Sequence, residues 1–359
     1  MKNKIKYIIT SVVIIAFILG FSLFAWLKPA DDVSLSERRV LAQMPELNKN
    51  SLLSGSFTKN FEKYATDQFP LRDTFKSIKA YASMGAFGQL DNNDIYVVND
   101  NISKLEYPLN TGMLEHAIEV FCKVEKTYLK DNKIYFAVVP DKNRYLAEKN
   151  GYLSLDYNAL SEYMQERMNF AKYIEIADLL EAKDYYYTDS HWRQEKIVDV
   201  AERIADVMGA DISQEYKEQK IDAPFHGVYK GQSALVHEPD SIIYLTNDSL
   251  EGVKVDGAKA VYDMDKANGR DPYEMFLSGN QSVVTIRNEK NKDGKRLIIF
   301  RDSFGSSIAP LFSKGYSEIV LIDLRHISSE LLGEFVNFEN ADVLFLYSTL
   351  LLNNSLSIR

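Results

Sequence analysis

Two short polar segments contain the residue types needed for acyl transfer, and the first of them centres on Asp189 and His191. A carboxylate two positions before a histidine can hold one imidazole nitrogen and leave the other facing a cleft. The pattern Asp-x-His also occurs often by chance, and the residues that follow it have helical spacing. Taken alone, this segment is better explained as an ordinary helix start with Asp189 or Ser190 as the N-cap.

The second segment contains Ser303, which lies between an apolar run ending at Phe300 and a helix predicted from about Gly305. A serine on such a turn presents its hydroxyl at the carboxyl end of a strand. The free N–H groups of the helix start can then stabilise an oxyanion. Taken alone, this segment also fits a simple N-cap at Asp302 or Ser303, and it lacks the Gly-x-Ser-x-Gly pattern.

The two segments together are more informative than either one. Each would lie at the carboxyl end of a predicted parallel strand, which is where base-assisted attack of a serine on an ester could be assembled. In that chemistry His191 would accept the proton, Asp189 would orient His191, and Ser303 would carry the acyl group.

The elements that must position these residues follow an α/β pattern. Short apolar runs alternate with amphipathic stretches from Ile95 to the end of the chain. The predicted strands are 95–98, 134–139, 173–176, 297–300, 319–322 and 343–346, and the predicted helices are 113–129, 157–170, 194–208, one from about 305, and 328–335. Continuous apolar strands joined by helices predict a parallel sheet covered on both faces, with ligands at the carboxyl ends of the strands.

Two further regions complete the predicted organisation. Residues 29–92 are predicted to form a helical N-terminal segment, and residues 93–359 the main α/β domain. Within that domain the polar, turn-rich stretch at about 211–281 interrupts the alternation of strands and helices. We interpret it as an insertion between the segment with Asp189 and His191 and the segment with Ser303. It could wall a cleft, or equally be a solvated surface hairpin.

Residues 1–28 have the features of a membrane anchor. Lys2, Lys4 and Lys6 precede an uncharged apolar run from about Tyr7 to Leu27, which is long enough to span a bilayer once. Lysines on that side predict a cytoplasmic N-terminus and an extracellular main domain. A cleaved signal peptide is the alternative, but its apolar core would be shorter and Pro29 is a poor neighbour for cleavage.

Composition excludes some classes of function. The net charge of −9 argues against nucleic acid as the main partner, because phosphate binding needs a basic surface. The single cysteine, Cys122, cannot form an internal disulfide, and the histidines lack metal-ligand spacing. We therefore expect neither a metal nor a cofactor.

At the level of motifs the sequence resembles the DHHW family, which is related to the SGNH-hydrolase-like domains of alginate O-acetyltransferase proteins. The segment Thr188-Asp189-Ser190-His191-Trp192 is similar to the Asp-His-His-Trp signature, with Ser190 in place of the first histidine. The other similar segments are Ser36–Ala42, Asp67–Asp73, Gly279-Asn280, Arg301–Phe304 and Ile322–Arg325. Since the first histidine of the signature is not the one aligned with the catalytic base, His191 keeps that role.

The resemblance implies a three-layer α/β/α SGNH-hydrolase-like fold and a triad of Ser303, His191 and Asp189. It places Gly279 and Asn280 where oxyanion donors are expected. Trp192 could stack on a sugar ring or pack in the core. Arg301 and Arg325 could bind an acidic sugar, although pairing with surface carboxylates is the simpler expectation.

The resemblance also implies a function, namely O-acetyl transfer to an extracytoplasmic polysaccharide, with a multi-pass membrane O-acyltransferase as the source of acetyl groups. An acetylesterase with the same triad is the second reading, in which water replaces the acceptor. A third reading is a non-catalytic polysaccharide-binding or assembly protein on the same scaffold.

Overall fold

The computed structural model describes residues 2–34, 36–291 and 294–359. The chain forms two compact units, one comprising residues up to Asn92 with Gly231–Val236, and the other comprising Asn93–Lys230 with His237–Arg359. We refer to these as the N-terminal unit and the main unit.

The secondary-structure elements are numbered in chain order. The strands in the described residues are β1 (Val33–Ser34), β2 (Arg39–Val40), β3 (Ile95–Val98), β4 (Asn101–Lys104), β5 (Lys133–Val139), β6 (Lys172–Tyr173), β7 (Lys217–Lys220), β8 (Ile243–Thr246), β9 (Lys254–Asp256), β10 (Val283–Arg287), β11 (Lys295–Arg301), β12 (Tyr316–Ile322) and β13 (Ala341–Ser348). The α-helices in the same ranges are α1 (Lys2–Leu27), α2 (Lys49–Leu53), α3 (Ser56–Asp67), α4 (Arg72–Tyr81), α5 (Thr111–Tyr128), α6 (Asn143–Leu146), α7 (Tyr157–Arg167), α8 (Val198–Met208), α9 (Val228–Ser233), α10 (Met264–Ala267), α11 (Phe304–Ile308), α12 (Leu332–Phe335) and α13 (Thr349–Leu352).

The N-terminal unit contains α1 and a small helical layer. Within the 24-residue stretch Lys4–Leu27 of α1, the most apolar 18-residue window has a mean hydropathy of 2.7, so the helix is long and apolar enough to cross a membrane. In the helical layer, Glu37 accepts hydrogen bonds from Arg72 and Lys76 of α4. Burial opposes ionisation of Glu37, but these two hydrogen bonds prevail and lower its pKa to about 2. The partly buried carboxylate therefore fixes α4 to the segment that contains Glu37.

The main unit is built on a seven-stranded sheet in the order β6-β5-β13-β11-β12-β10-β9. The strands from β6 to β12 are parallel, and β10 and β9 pair antiparallel at one edge. The central strands are apolar throughout because both of their faces are covered. This arrangement confirms the predicted three-layer α/β/α fold.

Alternate residues of the central strand β11 show how the two faces are covered. Leu297 and Ile299 belong to a buried cluster that includes Ile204 of α8. Ile298 points the opposite way, into a second cluster that includes Phe121 of α5. Burying one such side chain contributes roughly 1.5–3 kcal/mol, so the core fixes the strand register and with it the positions of the loops at the carboxyl edge.

Several predicted elements differ from the structure in their bounds or their pairing. The run 95–98 is not part of the parallel sheet but pairs with β4 in a hairpin, whose two-residue turn has Asn99 and Asp100 at positive φ. The strand predicted at 173–176 ends at Tyr173. The helix predicted from Gln194 begins at Val198, because its first turn is a separate 3₁₀ turn, Gln194–Lys196.

Candidate active site

The three residues of the predicted triad meet at the carboxyl edge of the sheet. His191 Nδ1 lies 2.6 Å from Asp189 Oδ1, and His191 Nε2 lies 2.7 Å from Ser303 Oγ, although Ser303 is 112 residues further along the chain. An ionised carboxylate only accepts hydrogen bonds, so Nδ1 carries the proton. Nε2 is then the acceptor of the Ser303 hydroxyl, which is the arrangement a general base requires.

Asp189 is held by backbone donors from two directions. The residue is fully buried. Its Oδ1 also accepts from the N–H of His191 at 3.1 Å, and its Oδ2 accepts from the N–H of Val228 at 2.8 Å. Because both oxygens are occupied, the carboxylate cannot rotate away from the imidazole. Val228 belongs to the stretch predicted as an insertion, which therefore forms part of the site.

A second buried carboxylate, Asp240, fixes the loop just before Asp189. Asp240 Oδ1 accepts from the N–H of Tyr187 at 2.8 Å, and Oδ2 accepts from both the N–H and the hydroxyl of Thr188. The N–H of Gly227 in turn donates to the Thr188 hydroxyl at 2.8 Å. These buried contacts hold the loop that carries Asp189 and His191, so the geometry of this loop does not depend on solvent-exposed side chains.

Gly227 packs against this loop so closely that no side chain fits. A Cβ at position 227 would lie 2.0 Å from the carbonyl oxygen of Thr188. We expect Gly227→Ala to force the two backbones apart and lower the free energy of unfolding by about 3 kcal/mol. Denaturant unfolding of the detergent-solubilised protein measures this change. Gly112→Ala is the control, since a Cβ there makes only an ordinary 3.4 Å contact. Equal stability of the two variants would contradict the packing argument.

Ser303 lies on a turn fixed by its neighbour Asp302. Asp302 Oδ1 accepts from the N–H of Phe304 at 3.0 Å, and Oδ2 accepts from the N–H of Ser348 at 2.8 Å, at the end of β13. The Ser303 side chain makes no capping hydrogen bond to α11. Its hydroxyl is therefore committed to His191 and not to the helix start.

The ring of Tyr273 covers one face of the His191 imidazole. The sequence analysis did not identify this residue as part of the site. Its ring stacks on His191 with centroids 3.9 Å apart and planes 14° apart. Its hydroxyl donates to Ser307 Oγ at 2.9 Å, which ties the base to the nucleophile helix α11. Asp271 caps the 3₁₀ turn Pro272–Met275 that carries the tyrosine. The pair Asp271-Pro272 signals a turn, but nothing local indicates that the turn faces His191.

Trp192 occupies the core beneath the site and does not face a substrate, so the alternative of a sugar platform is wrong. The side chain is fully buried. Its Nε1 donates to Ser307 Oγ at 2.9 Å and to the carbonyl of Phe304 at 3.2 Å. An indole N–H must find an acceptor when it is buried, and here the acceptors are on the nucleophile helix. Trp192 thus joins the segment that contains His191 to the helix that follows Ser303.

The predicted oxyanion residues are not joined to the triad by any hydrogen bond among the described residues. Asn280 is exposed. The N–H of Gly279 is already used, because it donates to the carbonyl of Phe276 at 3.3 Å. Gly279 has φ +78°, and a Cβ there would lie 2.8 Å from Cγ of Glu274, so a glycine is required by the backbone. The assignment of Asn280 as an oxyanion donor stays a prediction.

The two arginines do not pair with surface carboxylates, because their shared partner Asp323 is fully buried. Arg301 is buried as well and lies 3.4 Å from Asp323 Oδ2. Arg325 donates to both oxygens of Asp323, at 2.8 and 2.6 Å. The cluster joins the ends of β11 and β12 beside the nucleophile turn. Burial of its guanidinium keeps Arg301 from binding an acidic sugar.

Lys142, just beyond β5, is another residue that the sequence analysis missed. It is buried, and its Nζ donates to the carbonyls of Tyr186 and Tyr187 at 2.8 and 2.9 Å, in the loop that leads to Asp189. Burial lowers its pKa to about 7, although the nearby Asp240 and Asp189 act in the opposite direction. No spacing rule marks a single lysine after a strand, so no signal in the sequence identifies it.

The lowered pKa of Lys142 predicts a pH dependence of stability. Between pH of about 7 and 10.5 the unfolded chain holds the lysine proton and the folded chain has released it. The free energy of unfolding should therefore rise with pH across this window. Lys142→Met removes the titrating group, so the difference in unfolding free energy between wild type and variant should grow with pH. A pH-independent difference would contradict the assignment.

No protein-family model matches the sequence, and a search of curated proteins finds no match. Among solved structures, a DHHW family protein from Eubacterium siraeum is 19% identical, with a TM-score of 0.60 over 74% of this chain and 93% of that chain. Bacillus cereus PatB1, solved with a sulfonyl adduct, is also 19% identical, with a TM-score of 0.58 over 73% of this chain and 97% of that chain.

The O-acetyltransferase domain of Pseudomonas putida AlgJ is a weaker match, with 12% identity and a TM-score of 0.46 over 72% of this chain and 92% of that chain. At identities of this size the comparisons establish the fold alone, over about three quarters of the chain. The likeness in fold predicted from the sequence motifs is confirmed: the chain shares the fold of a DHHW family protein and of PatB1.

Proposed function

We propose that this protein is a membrane-anchored, serine-dependent O-acetyltransferase that modifies a polysaccharide outside the cytoplasm. The observation that carries the proposal is the unbroken chain of hydrogen bonds from Asp189 through His191 to Ser303. A serine whose hydroxyl donates to a carboxylate-oriented imidazole is an activated nucleophile. The acetyl group and the polysaccharide follow from the resemblance of the sequence motifs to the DHHW family.

In the first half of the reaction, Ser303 Oγ attacks the carbonyl carbon of an acetyl ester while His191 Nε2 takes the hydroxyl proton. The imidazolium that forms is stabilised by Asp189. The tetrahedral intermediate then collapses, its bond to the leaving oxygen breaks, and His191 returns the proton to that oxygen. The N–H of Ser303 makes no hydrogen bond to another described residue and is available to the oxyanion.

In the second half of the reaction, a sugar hydroxyl attacks the acetyl-serine. His191 Nε2 removes the proton of that hydroxyl, the ester bond to Ser303 Oγ breaks, and the proton passes to Ser303. The acetylated sugar leaves and the free enzyme is restored. Both halves need the same three side chains, so the geometry serves a ping-pong mechanism.

The anchor in this proposal is α1. No residue in the most apolar part of its span, Lys4–Leu27, is buried within the described structure, as expected of a helix that contacts lipid and not a protein core. With its N-terminal lysines on the cytoplasmic side, the chain after Leu27 would lie outside. A multi-pass membrane O-acyltransferase would then supply acetyl groups from the cytoplasmic pool.

An assay with full-length protein in detergent tests the proposal. An activated acetyl ester is the donor, and a panel of envelope oligosaccharides provides candidate acceptors. We expect acetylated oligosaccharide as the product. Free acetate alone, with every acceptor, would favour the acetylesterase reading. A rate no faster than that of Ser303→Ala would favour the non-catalytic reading.

Tyr273 should matter for turnover and not for substrate binding. Tyr273→Leu removes the ring that stacks on His191, and we expect kcat to fall about tenfold or more with little change in KM, because the base is less well oriented. Tyr273→Phe keeps the ring and should stay within about threefold of wild type. Steady-state kinetics separates the two parameters. An equal loss of kcat in both variants would mean that the Tyr273 hydroxyl, and not the stacking of its ring on His191, supports turnover.

A further inference from the structure

Helix α4 in the N-terminal unit is oriented in the opposite way from an ordinary surface helix. Two of its four charged residues, Arg72 and Lys76, point inward and bind the mostly buried Glu37, whereas Asp73 and Lys79 are exposed. Its large apolar residues Phe75, Ile78 and Tyr81 point outward, with exposed fractions of 39%, 58% and 52%, and so does the N-cap residue Leu71, with 58%. A helix in water normally has the reverse arrangement, so this face is suited to a non-aqueous neighbour.

The outward residues form one continuous surface. Leu71, Phe75 and Ile78 are separated by four and three positions, which places them on the same side of the helix. Phe69, in the turn before α4, is 42% exposed and extends the surface, with its ring 5.8 Å from that of Phe75. The surface is therefore a stripe and not a set of scattered apolar residues.

This stripe is continuous with the membrane-spanning helix. The ring of Phe21 in α1 lies 5.8 Å from the rings of both Phe69 and Phe75. Phe21 is six residues before the end of α1 at Leu27, or about 9 Å along a helix with a rise of 1.5 Å per residue. Interfacial amphipathic helices bury their apolar faces about 5–10 Å below the bilayer surface, which is the same depth.

We propose that the exposed face of α4, with Phe69, lies in the outer interface of the lipid bilayer beside α1. The proposal rests on the anchoring part of the proposed function. The amphipathic ring of Tyr81 suits the boundary between acyl chains and headgroups, and Phe69 and Phe75 suit the apolar face of an interfacial helix. On the helix α3, which precedes α4, Lys59 lies on the side roughly opposite Phe61 and is exposed. The N-terminal unit would thus contact the bilayer through α4 as well as through the membrane-spanning helix α1.

Fluorescence quenching in reconstituted vesicles tests this placement. The native thiol is removed by Cys122→Ala, and full-length Ile78→Cys is labelled with an environment-sensitive nitrobenzoxadiazole. Lys59→Cys is the control, because it lies on the exposed polar side of α3 in the same unit. Both proteins are placed in phosphatidylethanolamine and phosphatidylglycerol vesicles, with or without lipid spin-labelled near the headgroup.

We expect the spin-labelled lipid to reduce the Ile78 signal about twofold or more and to leave the Lys59 signal nearly unchanged. Water-like emission at both positions would overturn the proposal. Emission typical of an apolar environment at Ile78 in native membranes, but not in lipid vesicles, would also overturn it, since a protein would then cover the face. Failure of α1 to anchor the chain is a separate result, recognised when the full-length protein does not sediment with the vesicles at all.

Discussion

Ser303→Ala should abolish turnover of an activated acetyl ester, with a loss of about 10⁴-fold or more relative to wild type. The expected loss is this large because Oγ is the atom that forms the covalent bond, and a methyl group cannot replace it. The hydroxyl makes its hydrogen bond to His191 Nε2, so removing it does not disturb a cap of α11. Release of the chromogenic leaving group by purified full-length protein measures the rate.

Ser306→Ala is the matched control for this experiment. Ser306 lies on the same short helix as Phe304 and is buried, but no hydrogen bond joins its side chain to the triad among the described residues. We expect this variant to stay within about threefold of wild type. If Ser303→Ala and wild type had equal rates, the enzymatic function would be wrong and the non-catalytic reading would stand.

His191→Ala should cost nearly as much as Ser303→Ala, because the two side chains act as one unit. The double variant should be no slower than either single variant, since the loss of one partner already disables the other. Asp189→Ala should be roughly 10²-fold faster than His191→Ala, because a misoriented imidazole still acts as a base part of the time. Additive losses in the double variant would contradict a shared proton-transfer step.

Local patterns in the sequence identified the fold and the residues that would form the triad. The strands 297–300 and 343–346 are apolar on both faces, and only a sheet covered on two sides buries such runs. That topology places Ser303 and His191 at the same edge. Gly279 shows the limit of a motif, because its N–H is engaged within its own turn.

The residues that hold the triad in place could not be predicted in the same way. Lys142, Asp240 and Tyr273 act through contacts between segments far apart in the chain, such as the pairing of Asp240 with the Thr188 N–H. Side-chain periodicity reports only which face a residue occupies, and not which loop that face will meet. The outward-facing apolar side of α4 could not be predicted either. An apolar stripe has the same sequence pattern whether it faces a protein core or a membrane.

Mass spectrometry of the acetylated protein tests the central claim most directly. The protein is mixed with an activated acetyl ester, quenched in acid before water can remove the acetyl group, and digested with trypsin. Cleavage after Arg301 and Lys314 releases a peptide that contains Ser303, Ser306, Ser307 and Ser313. We predict one acetyl group on this peptide, located on Ser303 by fragmentation and absent from His191→Ala. An unmodified peptide, or an acetyl group on Ser306 or Ser307 in its place, would contradict the proposed mechanism.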